Sequence, residues 1–161
     1  MGKYGSCNFD DLKDLKRKLE ILEKQKAEEF MEACAKELAA RLLAKVIKRT
    51  PVRKKENCPP GVVGGTLRRG WTAGQNVNKT VDAARQFTDG MKVNKVGGVY
   101  KIEITNPVEY ASYVEYGHRA RNHKDWVEGK FMLTISEQEI KTIAPRILEN
   151  KLKKMLGEYM P

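Results

Sequence analysis

Residues 91–106, MKVNKVGGVYKIEITN, decide the fold class. Two runs flank Gly97-Gly98, a pair that accepts positive φ in a type I′ turn. After the turn, Tyr100, Ile102 and Ile104 alternate with Lys101 and Glu103, the period of a strand with one buried and one solvated face. The stretch predicts a β-hairpin. Long helical patterns lie on both sides of it, so the expected class is α+β: a long N-terminal helix, a small antiparallel sheet built on the Gly-Gly hairpin, a short middle helix and a C-terminal helix.

Working upstream, residues 9–49 read as helix. Leu12, Leu15, Leu19 and Leu22 recur at spacings of three and four, as do Phe30, Cys34, Leu38, Leu42 and Val46. Asn8 or Asp10 is placed to cap the start. The pattern allows one long helix, or two with a break near residues 24–28. Pro51 ends it, because the residue before a proline avoids the helical region. The next stretch, VRKKENCPPGVVGG, has loop composition. TLRRGWTA can form a strand with Leu67 and Trp71 on one face and Arg68 on the other, which extends the β region to 66–106. Residues 74–90 have no decisive period.

Downstream, Pro107 stops the strand and 107–117 read as a short helix closed by Gly117. Residues 118–129 read as a polar loop. The segment 130–159 is helical, with an apolar stripe of Ile140, Ile143, Ile147, Leu148, Leu152 and Leu156. Ser136 and Glu139 have the spacing of a capping box, and Pro145 should kink the helix or start a second one. Residues 1–161 are expected to form a single domain.

With 161 residues, the chain is long enough to bury a core without disulfides or metals. No run of about 18 apolar residues is present, as a membrane-spanning helix needs, and the start MGKYGSCNFDD lacks the apolar stretch of a secretory signal. Cys7, Cys34 and Cys58 are an odd, widely spaced set far from His118 and His123, which points to reduced thiols rather than zinc ligands. The net charge of +10 raises a nucleic-acid-binding reading. Its sharpest cluster, Lys48, Arg49, Arg53, Lys54 and Lys55, has no interleaved aromatic on which bases would stack. Catalytic patterns are equally sparse. His118, His123 and Asp125 could serve a metal-dependent nuclease, but there is no HExxH, P-loop, GxGxxG or nucleophile elbow. The expectation is a non-enzyme without cofactor or metal.

The functional signal lies in NPVEYASYVEYGHRA, residues 106–120, where Tyr110, Tyr113, Tyr116 and His118 crowd beside Glu109 and Glu115, although the chain is only 7% aromatic. One reading has Tyr113 and Tyr116 as half-buried packing, with Glu115 paired to an arginine. The other takes them with Arg119 and Trp126 as interface anchors, since Tyr, Trp and Arg dominate protein contacts. TPV at 50–52, TLRRGW at 66–71, NPVEYASYVEYGHR at 106–119 and WVEGKFML at 126–133, in that order, resemble a tailed-phage neck or tail-component family typified by gene ten of phage HK-ninety-seven. Two departures stand out: thirteen residues, 53–65, replace a compact Asp-Thr-Gly after TPV, and Glu128 replaces a proline before Gly129.

The resemblance implies a structural virion assembly protein that joins head to tail, or completes or terminates the tail, within a neck ring. Its partners would be connector or neck proteins and a tail-tube or tail-terminator protein, with a homo-oligomeric ring on assembly and a monomer before it. DNA would pass the ring lumen only transiently. The protein would act in the host bacterial cytoplasm and then in the virion neck or tail, without a membrane. The interface residues expected on this reading are Arg68, Arg69, Trp71, Tyr110, Tyr113, Glu115, Tyr116, His118, Arg119, Trp126 and Phe131.

Overall fold

The computed structural model describes residues 10–159. Helices are α1 (Asp10–Arg49), α2 (Thr66–Gly70), α3 (Val81–Asp89), α4 (Ala111–Tyr116) and α5 (Met132–Tyr159). Strands β1 (Asn94–Val96) and β2 (Val99–Lys101) form one antiparallel hairpin, and β3 (Gly117–Arg119) and β4 (Trp126–Glu128) form a second. The α+β class is as expected. The cap assigned to Asn8 or Asp10, the leucine repeat at 12, 15, 19 and 22, and Cys7 lie outside the described residues or side chains.

The axis of the fold is α1, an unbroken helix of 40 residues, about 60 Å long at 1.5 Å per residue. Its last turns are the centre of the core. Ala40, Leu43, Val46 and Ile47 are buried there against Leu67 of α2, Trp71, Ala84 of α3 and Met132 of α5. α5 runs antiparallel to α1. Near one end Lys45 Nζ donates to Glu139 Oε2 at 2.6 Å and Arg49 bonds the same carboxylate; further along, Lys151 Nζ donates to the Ala33 carbonyl at 3.1 Å. The lysine and arginine hydrogen bonds hold the Glu139 carboxyl below its ordinary range.

Three segments differ from expectation. TLRRGW is helix, not strand: the buried residues Leu67, Gly70 and Trp71 have i, i+3, i+4 spacing, and Leu67 and Trp71 alone fit either period. Residues 81–89, without a clear period in the sequence, form α3, which is capped by Thr80 Oγ1 accepting from Ala83 N at 3.3 Å. The region 66–106 therefore contains two helices and only a three-pair ladder, Asn94↔Lys101 to Val96↔Val99. The alternation itself holds beyond the ladder. Ile102, Ile104, Asn106 and Val108 are half-buried, and Glu103, Thr105 and Pro107 are exposed.

One expectation about α5 also fails, and one alternative drops out of another. The helix starts at Met132, so Ser136 lies a turn inside it, buried, with its Oγ donating to Met132 O at 2.6 Å. There is no capping box, because Glu139 turns outward to α1. Pro145 starts no second helix; α5 continues through it to Tyr159. No helix among the described residues is long and apolar enough to cross a membrane.

An ion-pair cluster ties α3 to α1. Glu37 accepts from Arg41 Nε at 2.7 Å and from Arg85 Nη2 at 3.0 Å. Burial alone would raise the Glu37 pKa, but the hydrogen bonds and charges of Arg41 and Arg85 outweigh it, and the carboxyl sits below its ordinary value. A lowered folded pKa adds stability above the unfolded value, and this is lost as pH falls through the folded one. Glu37→Gln should cost about 1–2 kcal/mol at neutral pH. The gap to the parent protein should close below about pH 4, as urea unfolding across pH would record.

Candidate functional site

The aromatic segment is built on a lock between α4 and α5. Glu115 is only 6% exposed, and no arginine pairs with it. Its Oε1 accepts from Thr134 N at 2.9 Å and from Thr134 Oγ1 at 2.7 Å, and its Oε2 from Leu133 N at 3.0 Å. The carboxylate thus caps the first turn of α5, where free amides and the helix dipole favour an anion. Backbone bonds run alongside: Lys130 N donates to Val114 O at 2.7 Å and Phe131 N to Glu115 O at 3.0 Å. Gly129 passes so close to the Glu115 carbonyl that a Cβ there would collide with it.

Residues 118–129 are not the expected loop. Gly117, at φ +88, turns the chain from α4 into β3, and His118↔Val127 and Arg119↔Trp126 pair across the second hairpin. Asn122 closes the turn, its Oδ1 accepting from Lys124 N at 3.1 Å and Asp125 N at 3.2 Å. That side-chain turn was the one sequence signal for the hairpin.

A second joint lies at the end of α1. Thr50 Oγ1 donates to Val46 O at 2.7 Å and accepts from Trp71 Nε1 at 2.8 Å, while Arg68 Nη2 donates to Thr50 O at 2.8 Å. Asn106 Nδ2 donates to Leu67 O at 2.8 Å, and its Oδ1 accepts from Val108 N at 3.2 Å. Gly70 leaves room for Asn106; a Cβ would strike its side chain.

The expected interface residues therefore divide. Trp71 (7% exposed) and Glu115 are inside the fold with internal partners. Arg68 and Arg69 bond the carbonyls of Thr50 and Gly64. The others lie at the surface. Tyr110 borders a groove of about 550 Å³ with Val52, Val62 and Val114. Tyr116 (64% exposed) and Trp126 (57%) face outward, as do Tyr113 and Phe131, so Tyr113 and Tyr116 are not half-buried packing. The Tyr113 and His118 rings meet at 5.8 Å, tilted by 59°. Arg119 is exposed beside them. Phe131 holds φ +47, a region where a bulky residue is an outlier. Val127, also exposed, is the surface residue that the sequence reading missed.

For chemistry the geometry offers little. Among the described residues no three His, Cys, Asp or Glu side chains gather as metal ligands. Asp125 is part of the Asn122 turn, and His123 sits in the same turn at φ +58. Cys34 and Cys58 are free thiols, and burial pushes the Cys34 thiol up.

Residues 13–117, well over half of the chain, match the model of a family described as "Bacteriophage HK97-gp10, putative tail-component". This chain belongs to the HK97-gp10 family. The family is described as a bacteriophage tail component, a structural class. No curated protein and no solved structure matches it. The HK97-gp10 match takes in Thr50, Trp71, Asn106 and Glu115, and it ends at Gly117. The segment that Glu115 caps lies beyond it.

Glu115→Ala should lower stability by about 1–3 kcal/mol and speed amide exchange at Leu133 and Thr134 by about tenfold or more. Phe131→Gly should leave stability unchanged or raise it by about 1 kcal/mol, because glycine tolerates the left-handed backbone. Thermal unfolding of the two variants would check both signs.

Proposed function

We propose that this tail component is a neck subunit that joins head to tail, or completes or terminates the tail, as one member of a ring. The observation that carries the reading is the exposed aromatic set Tyr113, Tyr116, Trp126 and Phe131, held outward by the Glu115 lock. Large aromatic side chains on a rigid platform contribute contact area with little loss of freedom on binding. A hydrophobic patch rimmed by polar residues marks a protein contact site. The partners on this reading are connector or neck proteins on one side and a tail-tube or tail-terminator protein on the other. Ring closure needs one patch to meet a different one on the next subunit, and the Tyr110 groove and the Trp126 hairpin are two such surfaces. The subunit would assemble in the host cytoplasm and remain in the virion neck or tail, with DNA passing its lumen.

Electron microscopy of lysates from a phage lacking this gene tests the role. Filled heads beside separate tails are expected for joining or completion, and overlong tails for termination. Normal infectious particles would refute the reading. At the level of residues, Tyr116→Ala and Trp126→Ala should each weaken complexes with neck or tail proteins by about tenfold or more, with thermal stability unchanged. Unaltered assembly would remove the aromatic face from the interface.

A further inference from the structure

Positive charge collects where the end of α1 meets the start of α3. A hollow of about 210 Å³ is bordered there by Arg41, Lys45 and Lys48 of α1, by Lys79 just before α3, and by Val81 and Ile143. The carboxylates beside it are outnumbered. Glu139 is shared by Lys45 and Arg49, and Glu37 by Arg41 and Arg85, while Asp82 pairs with Arg85. Lys48 and Lys79 are exposed and, among the described residues, have no ionic partner. Of the basic run at the end of α1, Arg49 is thus taken up by Glu139 and Lys48 is left over. Lys79 also borders an adjoining hollow with the side chains of Asn76, Asn78 and Arg68. The Arg68 guanidinium donates to the Thr50 carbonyl through Nη2, and its Nε is buried without a partner.

We propose that this face contacts the phosphate backbone of double-stranded DNA and, in the assembled ring, is turned to the lumen. Its orientation rests on the neck-ring reading above; the DNA contact itself belongs to the single subunit. Charge complementarity selects a polyanion, because the surplus cations find no carboxylate of their own. A duplex offers a dense line of phosphates, and lysines with amide donors bind these without reading the bases. The missing aromatic argues against a single strand, whose bases would stack. It is no obstacle to a duplex, whose bases stay inside. Few contacts per subunit suit a strand that moves past, since a ring repeats each of them. The face is also separate from the aromatic one: Ile143 lies about 16 Å along α5 from its start at Met132. DNA at Lys48 and Lys79 leaves Tyr116 and Trp126 free for protein partners.

Fluorescence anisotropy of short labelled duplexes of unrelated sequence, titrated with the full chain, tests the proposal. Affinity should not depend on sequence. With about two to four phosphates contacted, log K should fall against log salt with a slope of about −2 to −4. Lys48→Gln with Lys79→Gln should weaken binding by about tenfold or more and flatten the slope by about 2. The matched control, Lys92→Gln with Lys101→Gln, removes the same charge from the β1–β2 hairpin. That hairpin meets α1 at Glu28 through Lys95, about 30 Å along the helix from Lys48, so the control should change affinity by less than about threefold. All four lysines are exposed, and circular dichroism should show both variants folded. No binding at about 50 mM salt would overturn the proposal. Equal losses in the two double variants would also overturn it, reducing the effect to net charge. Unaltered duplex binding by the Lys48 and Lys79 variant, with weakened complexes with neck or tail proteins, would assign the face to an acidic protein surface instead. The two readings fail separately: detached tails without duplex binding would overturn only the DNA contact, and duplex binding with normal particles only the neck role and the lumen.

Discussion

The Glu115 carboxylate is the constraint on which the site half of the molecule depends. It is buried without a cation, a costly position for a charge, and it is satisfied by two backbone amides and a hydroxyl at the start of α5. α5 has no cap of its own, since Ser136 is already a turn inside it. The helix therefore begins where α4 places the carboxylate. That one contact fixes α4, the second hairpin and the start of α5 as a unit, and so sets where the helix can pack against α1. It also decides which rings face out: with Glu115 turned inward, Tyr113 and Tyr116 point away from the core.

The segments that carry the family resemblance turn out to meet one another. Thr50 of TPV receives the Trp71 indole of TLRRGW, Asn106 of NPVEY holds the Leu67 carbonyl, and Glu115 of YVEYG caps the FML turn. These residues build the scaffold. The surface rings are what the scaffold presents, and they reach the outside because their neighbours, not they, are used internally. Trp71 illustrates the difference. By residue type it belongs among interface anchors, and by position it is core.

Legibility in the sequence followed locality. The long helices, the Gly97-Gly98 turn and the alternation from Tyr100 to Ile104 were readable because each depends on near neighbours and a clean period. The α2 helix was not, because five residues with two apolar anchors four apart suit a strand as well as a helix. Short strand pairing in β3–β4 was masked by a polar turn whose closure rests on one asparagine. The role of Glu115 was the least readable, since its partners lie 18 and 19 residues away in another helix. Within the candidate site, residue type pointed to the right region, but only burial could separate Tyr116 from Trp71.

The segment between TPV and TLRRGW has a narrow waist. A Cβ on Gly64 would lie 2.7 Å from the Arg53 carbonyl, and Arg69 Nη1 donates to Gly64 O at 3.2 Å, so the chain leaves and returns at nearly one point. This is the geometry of an Ω-loop. The free energy of closing such a loop grows only with the logarithm of its length, about 0.6 kcal/mol per doubling. The joint at Thr50 is thereby insulated from whatever the loop contains. Thirteen residues in place of a tight turn are a cheap change, and the loop tip can vary in length and content between related chains while the scaffold beneath it stays the same.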